Sequence, residues 1–205
     1  MKLLQIKKAR SSDKVWLNFD DGSFIPFKID DVVIEKLKTN QEVDFNRICE
    51  LSLKFILNNY ALRQIAISPK IGQILIPKLK SQSHYYIKKY RFPNINPDQI
   101  IKDTVNYLEE KQWLNKNIYA NYLLKKHHKK SKRYLEQLFS SYHLDKSLLL
   151  NNDKDNLKNL LLKKISKLPN PLEFKTKSKL MQSMIQKGFA YSDIKSVIDE
   201  LHIVG

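Results

Sequence analysis

Cysteine and long apolar runs are scarce in this 205-residue sequence, and each scarcity excludes a class of protein. The one cysteine, Cys49, cannot form an internal disulfide and has no zinc-site spacing around it, so we expect a reduced, buried thiol. No run reaches the roughly 20 apolar residues that span a bilayer. Lysines interrupt the short apolar patch in the opening stretch MKLLQIKKARSSDK before a signal-peptide core forms. We therefore expect a cytoplasmic protein that does not insert into a membrane.

Motifs that carry catalysis or hold cofactors are also missing. The four glycines form no phosphate-binding loop, and the sequence lacks a nucleophile elbow, an HExxH motif and a metal-spaced set of His and Cys. His127 and His128 are adjacent, so on a helix they point about 100° apart and favour a solvated basic surface over a chelate. Glu109 and Glu110 are typical of exposed helix charges rather than of an acid and base pair. The sequence predicts no catalytic residue, no metal and no cofactor, and hence a protein that is not an enzyme.

Acidic residues are few, and the resulting charge is the largest compositional signal. The chain has 37 Lys and Arg against 21 Asp and Glu, which gives a net charge of +16. Residues 1–60 are nearly balanced, with 10 basic and 9 acidic residues, whereas residues 61–205 contain 27 and 12. This excess predicts a polyanionic partner, nucleic acid first and a membrane surface second. The alternative is a lysine-rich surface in a sequence that is also rich in Asn and Ile.

One short β segment precedes a long stretch of helical periodicity. KVWLNFDDGSFIPFKI alternates apolar and polar residues and turns at Asp21 and Gly22, which both accept positive φ, so it predicts a two-stranded hairpin. From Asp30 onward the strand signals vanish. DDVVIEKLK predicts a short helix, and Asp44 begins a longer one that Pro69 closes.

Later helices have clear starts and one-sided apolar stripes. Asn96 followed by Pro97 begins one helix, and Ser131 begins another. The stripes comprise Ile101, Val105 and Leu108, then Leu135, Leu138 and Phe139, then Leu157, Leu160, Leu161, Ile165 and Leu168. The PNPLE stretch, with Pro169 and Pro171, separates the last stripe from a closing helix pair. Amphipathic helices joined by short polar links predict an all-α body behind the hairpin.

The closing stretch LMQSMIQKGFAYSDIKSVIDEL, residues 180–201, aligns with residues 135–156 at an offset of 45 residues. The aligned pairs are Leu180 with Leu135, Met184 with Phe139, Phe189 with Leu144, and Ile194 with Leu149. A fainter copy, KIGQILIPKL, is interrupted by Pro77. We expect Gly188 to take the left-handed conformation and end a helix of residues 177–187, with Phe189 folded over Met184. The alternative is that any two amphipathic helices align this well.

Repeats of this length predict tandem three-helix units in an elongated, curved array. The predicted division is an amino-terminal hairpin and short helix over 1–44, a first repeat over 45–113, a second over 114–152 and a third over 153–205.

The candidate binding residues lie in two stretches that mix basic and aromatic side chains. LNKNIYANYLLKKHHKKSKRY, residues 114–134, contains no acid, and HYYIKKYRF, residues 84–92, is a second such mixture. Lysines neutralise phosphates and tyrosines stack on exposed bases. The candidates are Lys125, Lys126, Lys129, Lys130, Lys132 and Arg133 in the first stretch and Lys88, Lys89 and Arg91 in the second. Alternatively the lysines only complement a helix dipole, and we expect Tyr119 and Tyr134 to be core residues.

The chain resembles the RecX family of regulatory proteins, which are bacterial modulators of the RecA recombinase. KLMQSMIQKGFAYSDIKSVIDEL is similar to the closing helix pair of that family. YLEEKQWLNKNIYANYLL is similar to the segment where one repeat ends and the next begins, and the hairpin resembles an extended amino terminus found in some members. The sequence departs at SSYHL, where the middle repeat of the family tends to have Lys-Gly. It also departs at Ala190, often a capping Ser or Asp, for which Ser192 could substitute.

The resemblance implies three tandem three-helix units, no enzymatic activity, and binding in the helical groove of a RecA–DNA filament. There the protein would limit filament growth, ATP hydrolysis and strand exchange, and so regulate DNA repair, recombination and the SOS response. The implied partners are the RecA filament and DNA within or near it, and we expect a monomer. The residues themselves leave open an alternative, a stand-alone basic helical module that binds nucleic acid directly.

Overall fold

A computed structural model describes residues 1–10, 13–93, 95–149, 153–167 and 174–201. The chain divides into two compact units, residues 1–115 and 116–205. Nine α-helices, a single 3₁₀ turn and four strands lie within the described ranges, which confirms the predicted helical fold with an amino-terminal β element. The finer division into repeats stays a prediction.

Unit 1 begins with an antiparallel sheet of four strands, where the sequence predicted only a hairpin. In chain order the strands are β1 (Lys2–Lys8), β2 (Lys14–Phe19), β3 (Phe24–Lys28) and β4 (Gln41–Glu42), and they lie side by side in the order β3-β2-β1-β4. The predicted hairpin is confirmed as β2 and β3. Strand β1 lacks the regular alternation of apolar and polar residues that indicates a strand. A register shift after Leu3 places Ile6, three residues later, opposite Leu17 on the buried face.

The hairpin turns at Asp21 and Gly22, as predicted. Of these two residues, which can both take positive φ, only Gly22 does, at 80°. Asp21 uses its Oδ1 atom to accept a hydrogen bond from the backbone N–H of Ser23, at 2.9 Å. The side chain of Asp21 therefore helps to organise the turn.

The helices of unit 1 are α1 (Ile29–Ile34), α2 (Phe45–Ile67), α3 (Gly72–Tyr90) and α4 (Pro97–Glu110). Helices α2 and α4 begin at the capping residues that the sequence predicts, whereas α1 and α3 begin without a side-chain cap. Asp44 accepts a hydrogen bond from the N–H of Arg47 at 3.2 Å, and Asn96 accepts one from the N–H of Asp98 at 3.0 Å. The predicted stripe of α4, formed by Ile101, Val105 and Leu108, is buried together with Leu3, Leu17, Phe19, Ile25 and Phe27 of the sheet.

Helix α3 continues through Pro77, where the sequence predicted an interruption. An interior proline costs a helix about 3 kcal/mol. Leu75 and Leu79, on either side of it, are both fully buried, and burying one leucine contributes about 1.5–3 kcal/mol. Tertiary packing therefore offsets the local penalty.

Unit 2 contains the remaining helices, α5 (Lys116–Lys126), α6 (Lys132–Ser141), α7 (Asp153–Ile165), α8 (Phe174–Ile185) and α9 (Tyr191–Glu200), with a 3₁₀ turn at Lys146–Leu148. Its main core comprises Leu157, Leu161, Leu180, Met184, Phe189, Ile194, Val197 and Ile198. In the predicted stripe of α6 only Phe139 is buried, while Leu135 and Leu138 are half-buried. Leu168, Pro169 and Pro171 lie outside the described residues.

The turn that ends α8 recurs at the ends of α6 and α3. Gly188 has a φ of 93°, and the N–H of Phe189 donates to the carbonyl of Met184 at 3.3 Å, which confirms the predicted cap. The same left-handed residue and backward hydrogen bond occur at His143, with Leu144 donating to Phe139, and at Arg91, with Phe92 donating to Ile87. His143 is the residue that the 45-residue offset aligns with Gly188. The SSYHL departure therefore keeps the turn and replaces its glycine.

Helix α9 starts without a side-chain cap. Ala190 is its N-cap residue and provides no side-chain hydrogen bond. Ser192, expected to substitute, lies inside the helix, where its hydroxyl contacts Asp193 at 3.5 Å. The expectation for Ser192 was therefore wrong.

Candidate basic interface

Six of the nine candidate residues lie on the facing ends of two consecutive helices and on the connection between them. Helix α5 ends at Lys126 and α6 begins at Lys132; we call residues 125–133 the basic turn. Lys125, Lys126, Lys129 and Arg133 are exposed, whereas Lys130 and Lys132 are half-buried. The side chains predicted to bind a partner are thus mostly available to one.

The backbone of the basic turn is held by hydrogen bonds from α7 and the end of α8. The Nδ2 atom of Asn156 donates to the carbonyls of His128 and Lys130, at 3.2 Å each. The N–H of Ser131 donates to the carbonyl of Lys187 at 3.1 Å. These partners are distant in sequence, so sequence reasoning did not find them. They fix the backbone from which the lysines extend.

Two side chains cap the first turn of α6. The hydroxyl of Ser131 accepts a hydrogen bond from the N–H of Tyr134 at 3.2 Å, as predicted. Asp153, at the start of α7, accepts a second one from the N–H of Lys132 at 2.6 Å. Because helix amino termini have unpaired N–H groups and a partial positive charge, a hydroxyl and a carboxylate both stabilise this end.

Lys187 joins the basic turn from the end of α8. Its pKa is lowered by burial first, and then by the nearby charges of Lys130, Lys164 and Lys129. We call Lys129, Lys130, Lys164 and Lys187 the lysine cluster. Lys164 extends from α7, where its Nζ atom donates to the hydroxyl of Ser183 at 2.6 Å. Sequence reasoning treated the neighbourhood of Gly188 as scaffold, and the only signal for Lys187 was its place beside that turn.

Several lysines of the basic turn also have contacts inside the protein. The ammonium of Lys130 lies 3.3 Å from the carbonyl of Gln186 and 4.8 Å from the ring centre of Tyr134. The Lys126 ammonium lies 5.6 Å from the ring of Tyr122, and Lys132 lies 4.0 Å from Glu136. Such surface contacts contribute about 0–1 kcal/mol each, so a partner of opposite charge can replace them.

The aromatic residues of the basic turn differ in their exposure. Tyr119 is buried, as predicted; burial raises the pKa of its hydroxyl, and its ring packs edge-on against Tyr142 with centres 5.6 Å apart. Tyr134 is half-buried, with its ring centre 5.6 Å from that of His127. Tyr119 therefore cannot stack on a base.

The adjacent histidines divide between the surface and the interior. His128 is exposed, whereas His127 is half-buried. Burial lowers the pKa of His127, and the charges of Lys126 and Lys130 lower it further. Because its pKa is lowered, His127 is a neutral packing residue at physiological pH. Within the described ranges, no group of three or more His, Cys, Asp or Glu is placed to hold a metal ion.

The other three candidates, Lys88, Lys89 and Arg91, lie at the end of α3 in unit 1. The Lys89 ammonium lies 5.4 Å from the ring centre of Tyr90, 5.7 Å from that of Tyr85 and 6.0 Å from that of Tyr86. Tyr85 is 54% exposed. The end of α3 therefore presents a cation among aromatic faces, one of which is open to solvent.

The β2–β3 hairpin extends this second surface, which the sequence did not reveal. The rings of Trp16 and Phe24 stack with centres 4.7 Å apart, and the Lys14 ammonium lies 3.8 Å from the centre of the Trp16 ring. Burial lowers the pKa of Lys14, and the charges of Arg63 and Lys89 lower it further. We call Lys14, Trp16, Phe24, Tyr85 and Lys89 the aromatic surface. A cavity of about 320 Å³, lined by Phe24, Lys89 and Arg91 among others, adjoins it.

None of the helices in the described part of the chain is long and apolar enough to cross a membrane.

Comparisons with known proteins agree on one family. Residues 152–198 match the family description "RecX, third three-helix domain". The crystal structure of a regulatory protein RecX is similar over 97% of this chain and 98% of that chain, with 16% identity and a TM-score of 0.57. RecX from Lactobacillus salivarius is similar over 74% of this chain and 98% of that chain, with 19% identity and a TM-score of 0.50. No curated protein matches the sequence.

At these identities the two structures show that this chain shares their fold. The match over residues 152–198 shows in addition that part of the sequence is similar to a RecX domain. That match covers α7, α8 and α9, and it includes the turn at Gly188 on which the resemblance rested. Residues 152–198 are therefore similar in sequence to the third three-helix domain of the RecX family, and the chain shares the fold of the RecX structures.

Proposed function

We propose that this protein regulates a RecA-type recombinase by binding its filament on DNA. In this proposal it limits filament growth, ATP hydrolysis and strand exchange, and it acts without catalysis, as a cytoplasmic monomer. The match of residues 152–198 to a RecX domain supports the partner, and the lysine cluster is the observation that supports the mode of binding. Its four ammonium groups come from the basic turn, α7 and the turn that follows α8, so the folded unit brings together charges that lie far apart in sequence.

The energetics of the lysine cluster favour a polyanionic partner. Like charges at close range repel, and burial beside them lowers the pKa of Lys187. A phosphate backbone or an acidic protein surface relieves that repulsion and releases bound counterions. Because Asn156 holds the carbonyls of the basic turn, the backbone needs no ordering when the partner binds.

We propose for the lysines a role in positioning rather than in sequence recognition. Phosphate contacts carry no information on bases, so they suit a regulator that must act on filaments over any DNA sequence. The long-range field of unit 2 also speeds encounter with a filament.

The aromatic surface favours the second candidate function, direct binding of single-stranded nucleic acid. Base stacking on an exposed aromatic ring contributes about 1–3 kcal/mol per base and tolerates any sequence. Tyr85 and Phe24 provide such faces, and Lys14 and Lys89 provide the charge. A stand-alone binding module would need no recombinase.

The experiment that tests the proposal measures the DNA-dependent ATPase of RecA at physiological salt, with and without the full-length protein. We expect inhibition at stoichiometric amounts. Inhibition should fall about tenfold when Lys129 and Lys187 are both changed to Glu, because two reversed charges remove phosphate contacts that depend on salt. The quadruple change of Lys125, Lys126, Lys129 and Lys130 to Glu should have the same effect without lowering thermal stability.

The matched control changes Lys175 and Lys195 to Glu, which reverses two exposed charges of unit 2 outside the lysine cluster. This control should inhibit as well as the wild type does. Equal losses in control and test variants would show that only net charge matters. No inhibition by the wild type, together with tight binding to bare DNA, would reject the regulator and favour the stand-alone module.

A further inference from the structure

The members of the lysine cluster differ in what holds their ammonium groups. Lys130 donates to the carbonyl of Gln186 at 3.3 Å, and Lys164 donates to the hydroxyl of Ser183 at 2.6 Å. The ammonium of Lys187, by contrast, has neither a hydrogen bond nor an ion pair within the described part of the chain. Two lysines are therefore held in place, whereas Lys187 is free to react.

The two hydrogen bonds anchor their lysines within one helical turn of Lys187. Gln186 directly precedes Lys187, and Ser183 lies four residues before it. The carbonyl of Lys187 accepts a hydrogen bond from the N–H of Ser131 at 3.1 Å, which joins the basic turn to this position. Three segments that are distant in sequence therefore meet at Lys187, namely the basic turn, α7 and the end of α8.

The surroundings of Lys187 favour the neutral form of its amine. The side chain is half-buried, and burial is the first cause that lowers its pKa. The charges that lower the pKa further belong to Lys130, Lys164 and Lys129, and all of them are positive. Only a neutral amine attacks a carbonyl group, so at a given pH more of Lys187 is reactive than of an ordinary lysine.

The neighbouring ammonium groups favour a reagent that carries phosphate. Lysine binds phosphate as a point charge, and hydrogen bonds already fix two lysines here. An acyl phosphate combines a dianionic phosphate with a carbonyl carbon that amines attack. When Lys130 and Lys164 hold the phosphate, the carbonyl carbon is brought close to the amine of Lys187, and such proximity accelerates a reaction.

We propose that Lys187 is a modification site that accepts the acyl group of acyl phosphates. The neutral amine attacks the carbonyl carbon, a nitrogen–carbon bond forms, and the bond between that carbon and the phosphate oxygen breaks. Inorganic phosphate leaves and takes the proton that the amine loses. Lys130 and Lys164 stabilise the negative charge of the departing phosphate. The product is an uncharged amide, so the lysine cluster keeps three of its four charges.

The loss of this charge weakens binding to a polyanion, a consequence that rests on the proposed function. Each phosphate contact of a lysine adds about 0.9 to the slope of log affinity against log salt. The acylated protein therefore loses affinity and depends less on salt. The reaction at Lys187 needs neither RecA nor DNA, so the modification and the proposed function can fail separately.

The test measures acetylation of the full-length protein by acetyl phosphate at about pH 8. Deuterated acetic anhydride in urea then labels the remaining lysines, and mass spectrometry of chymotryptic peptides gives the extent of reaction at each lysine. We expect Lys187 to react about tenfold faster than Lys175 and Lys195. Both comparison lysines are more exposed than Lys187, so access to the reagent alone predicts the opposite order.

Two comparisons identify the cause of that preference. Acetic anhydride, which has no charge, should prefer Lys187 by only about threefold, because it gains from the neutral amine but not from the ammonium groups. Changing Lys130 and Lys164 to Gln should slow the reaction of Lys187 with acetyl phosphate about tenfold. The matched control, Lys175→Gln with Lys195→Gln, should leave that rate unchanged.

The consequence for binding is measured with Lys187→Gln, which imitates the uncharged amide. Its inhibition of the RecA ATPase should be about threefold weaker than that of the wild type, and the salt slope of its affinity for DNA should be smaller by about one. If Lys187 is acetylated as expected but this variant inhibits as well as the wild type does, the modification site stands and the role of the lysine cluster in the proposed function is refuted.

Three results would overturn the modification site. Reaction at Lys187 that is no faster than at the two comparison lysines means that the amine is not activated. An equal preference for Lys187 with both reagents means that the phosphate is not recognised. Acetylation mainly at Lys130 or Lys164 means that the nucleophile is one of the lysines assigned to phosphate.

Discussion

Replacing Gly188 with alanine should lower the free energy of unfolding of unit 2 by about 1.5–4 kcal/mol. The first contribution is conformational: Gly188 has a φ of 93°, and an L-residue in the left-handed region costs about 1–2 kcal/mol. The second is steric, because a Cβ atom there would lie 2.6 Å from the hydroxyl of Ser131 and 3.0 Å from the Cβ of Tyr134. Ser131 caps α6, and losing that cap costs about 0.5–2 kcal/mol.

The measurement is urea unfolding followed by far-ultraviolet circular dichroism. Gly22→Ala is the matched control, since Gly22 has a φ of 80° but no atom lies within 4 Å of the added Cβ. The loss of unfolding free energy in Gly22→Ala should reflect the conformational cost alone. The loss in Gly188→Ala should be larger by the cost of the lost cap. Equal losses at the two glycines would refute the steric contact.

A double-variant cycle isolates that contact. Ser131→Ala removes the atom that the new Cβ would meet, so the double variant should be less destabilised than the sum of the single variants, by about 1 kcal/mol. Additive losses would show that the added Cβ atom does not clash with Ser131. Glycine would then be needed at position 188 only because of its positive φ.

Three further predictions concern single residues. His143→Gly should stabilise unit 2 by up to about 1 kcal/mol in the same unfolding assay, because His143 is exposed and holds a φ of 50°. Cys49 is fully buried and has its pKa raised to about 12, so at pH 8 its thiol should react with Ellman's reagent about a thousandfold more slowly than in urea. His127 has a lowered pKa in the fold, so only the unfolded chain gains a proton there as the pH falls below about 6.5. Stability should therefore drop between pH 7.5 and 5.5, and His127→Gln should flatten that part of the urea-midpoint profile.

Features that depend on neighbours along the chain were predictable from the sequence. The caps at Asp44, Asn96 and Ser131 each satisfy an amide two or three residues away, so the residue type and the following pattern suffice to locate them. The stripe of α4 follows from the helical period alone. The turn at Gly188 was found because glycine marks a positive φ.

Features that depend on tertiary contacts were not predictable. His143 and Arg91 form the same turn as Gly188, but their side chains give no sign of a left-handed backbone. The lysine cluster joins Lys129 to Lys187, which are far apart in sequence, and the hydrogen bond from the N–H of Ser131 to the carbonyl of Lys187 brings their two segments together. Trp113 is presented by the turn after α4, whose geometry the sequence does not indicate. In each case a distant contact overrides or completes the local pattern.

In the basic turn, different residues determine the position of the backbone and the charge of the surface. Asn156 and the carbonyl of Lys187 determine where the turn lies, while the lysines determine how much charge it carries. Lysine and arginine can therefore exchange places along the turn during evolution, and individual charges can be lost or gained, without moving the surface. We therefore expect Asn156, an uncharged residue, to vary less in evolution than any of the lysines of the turn.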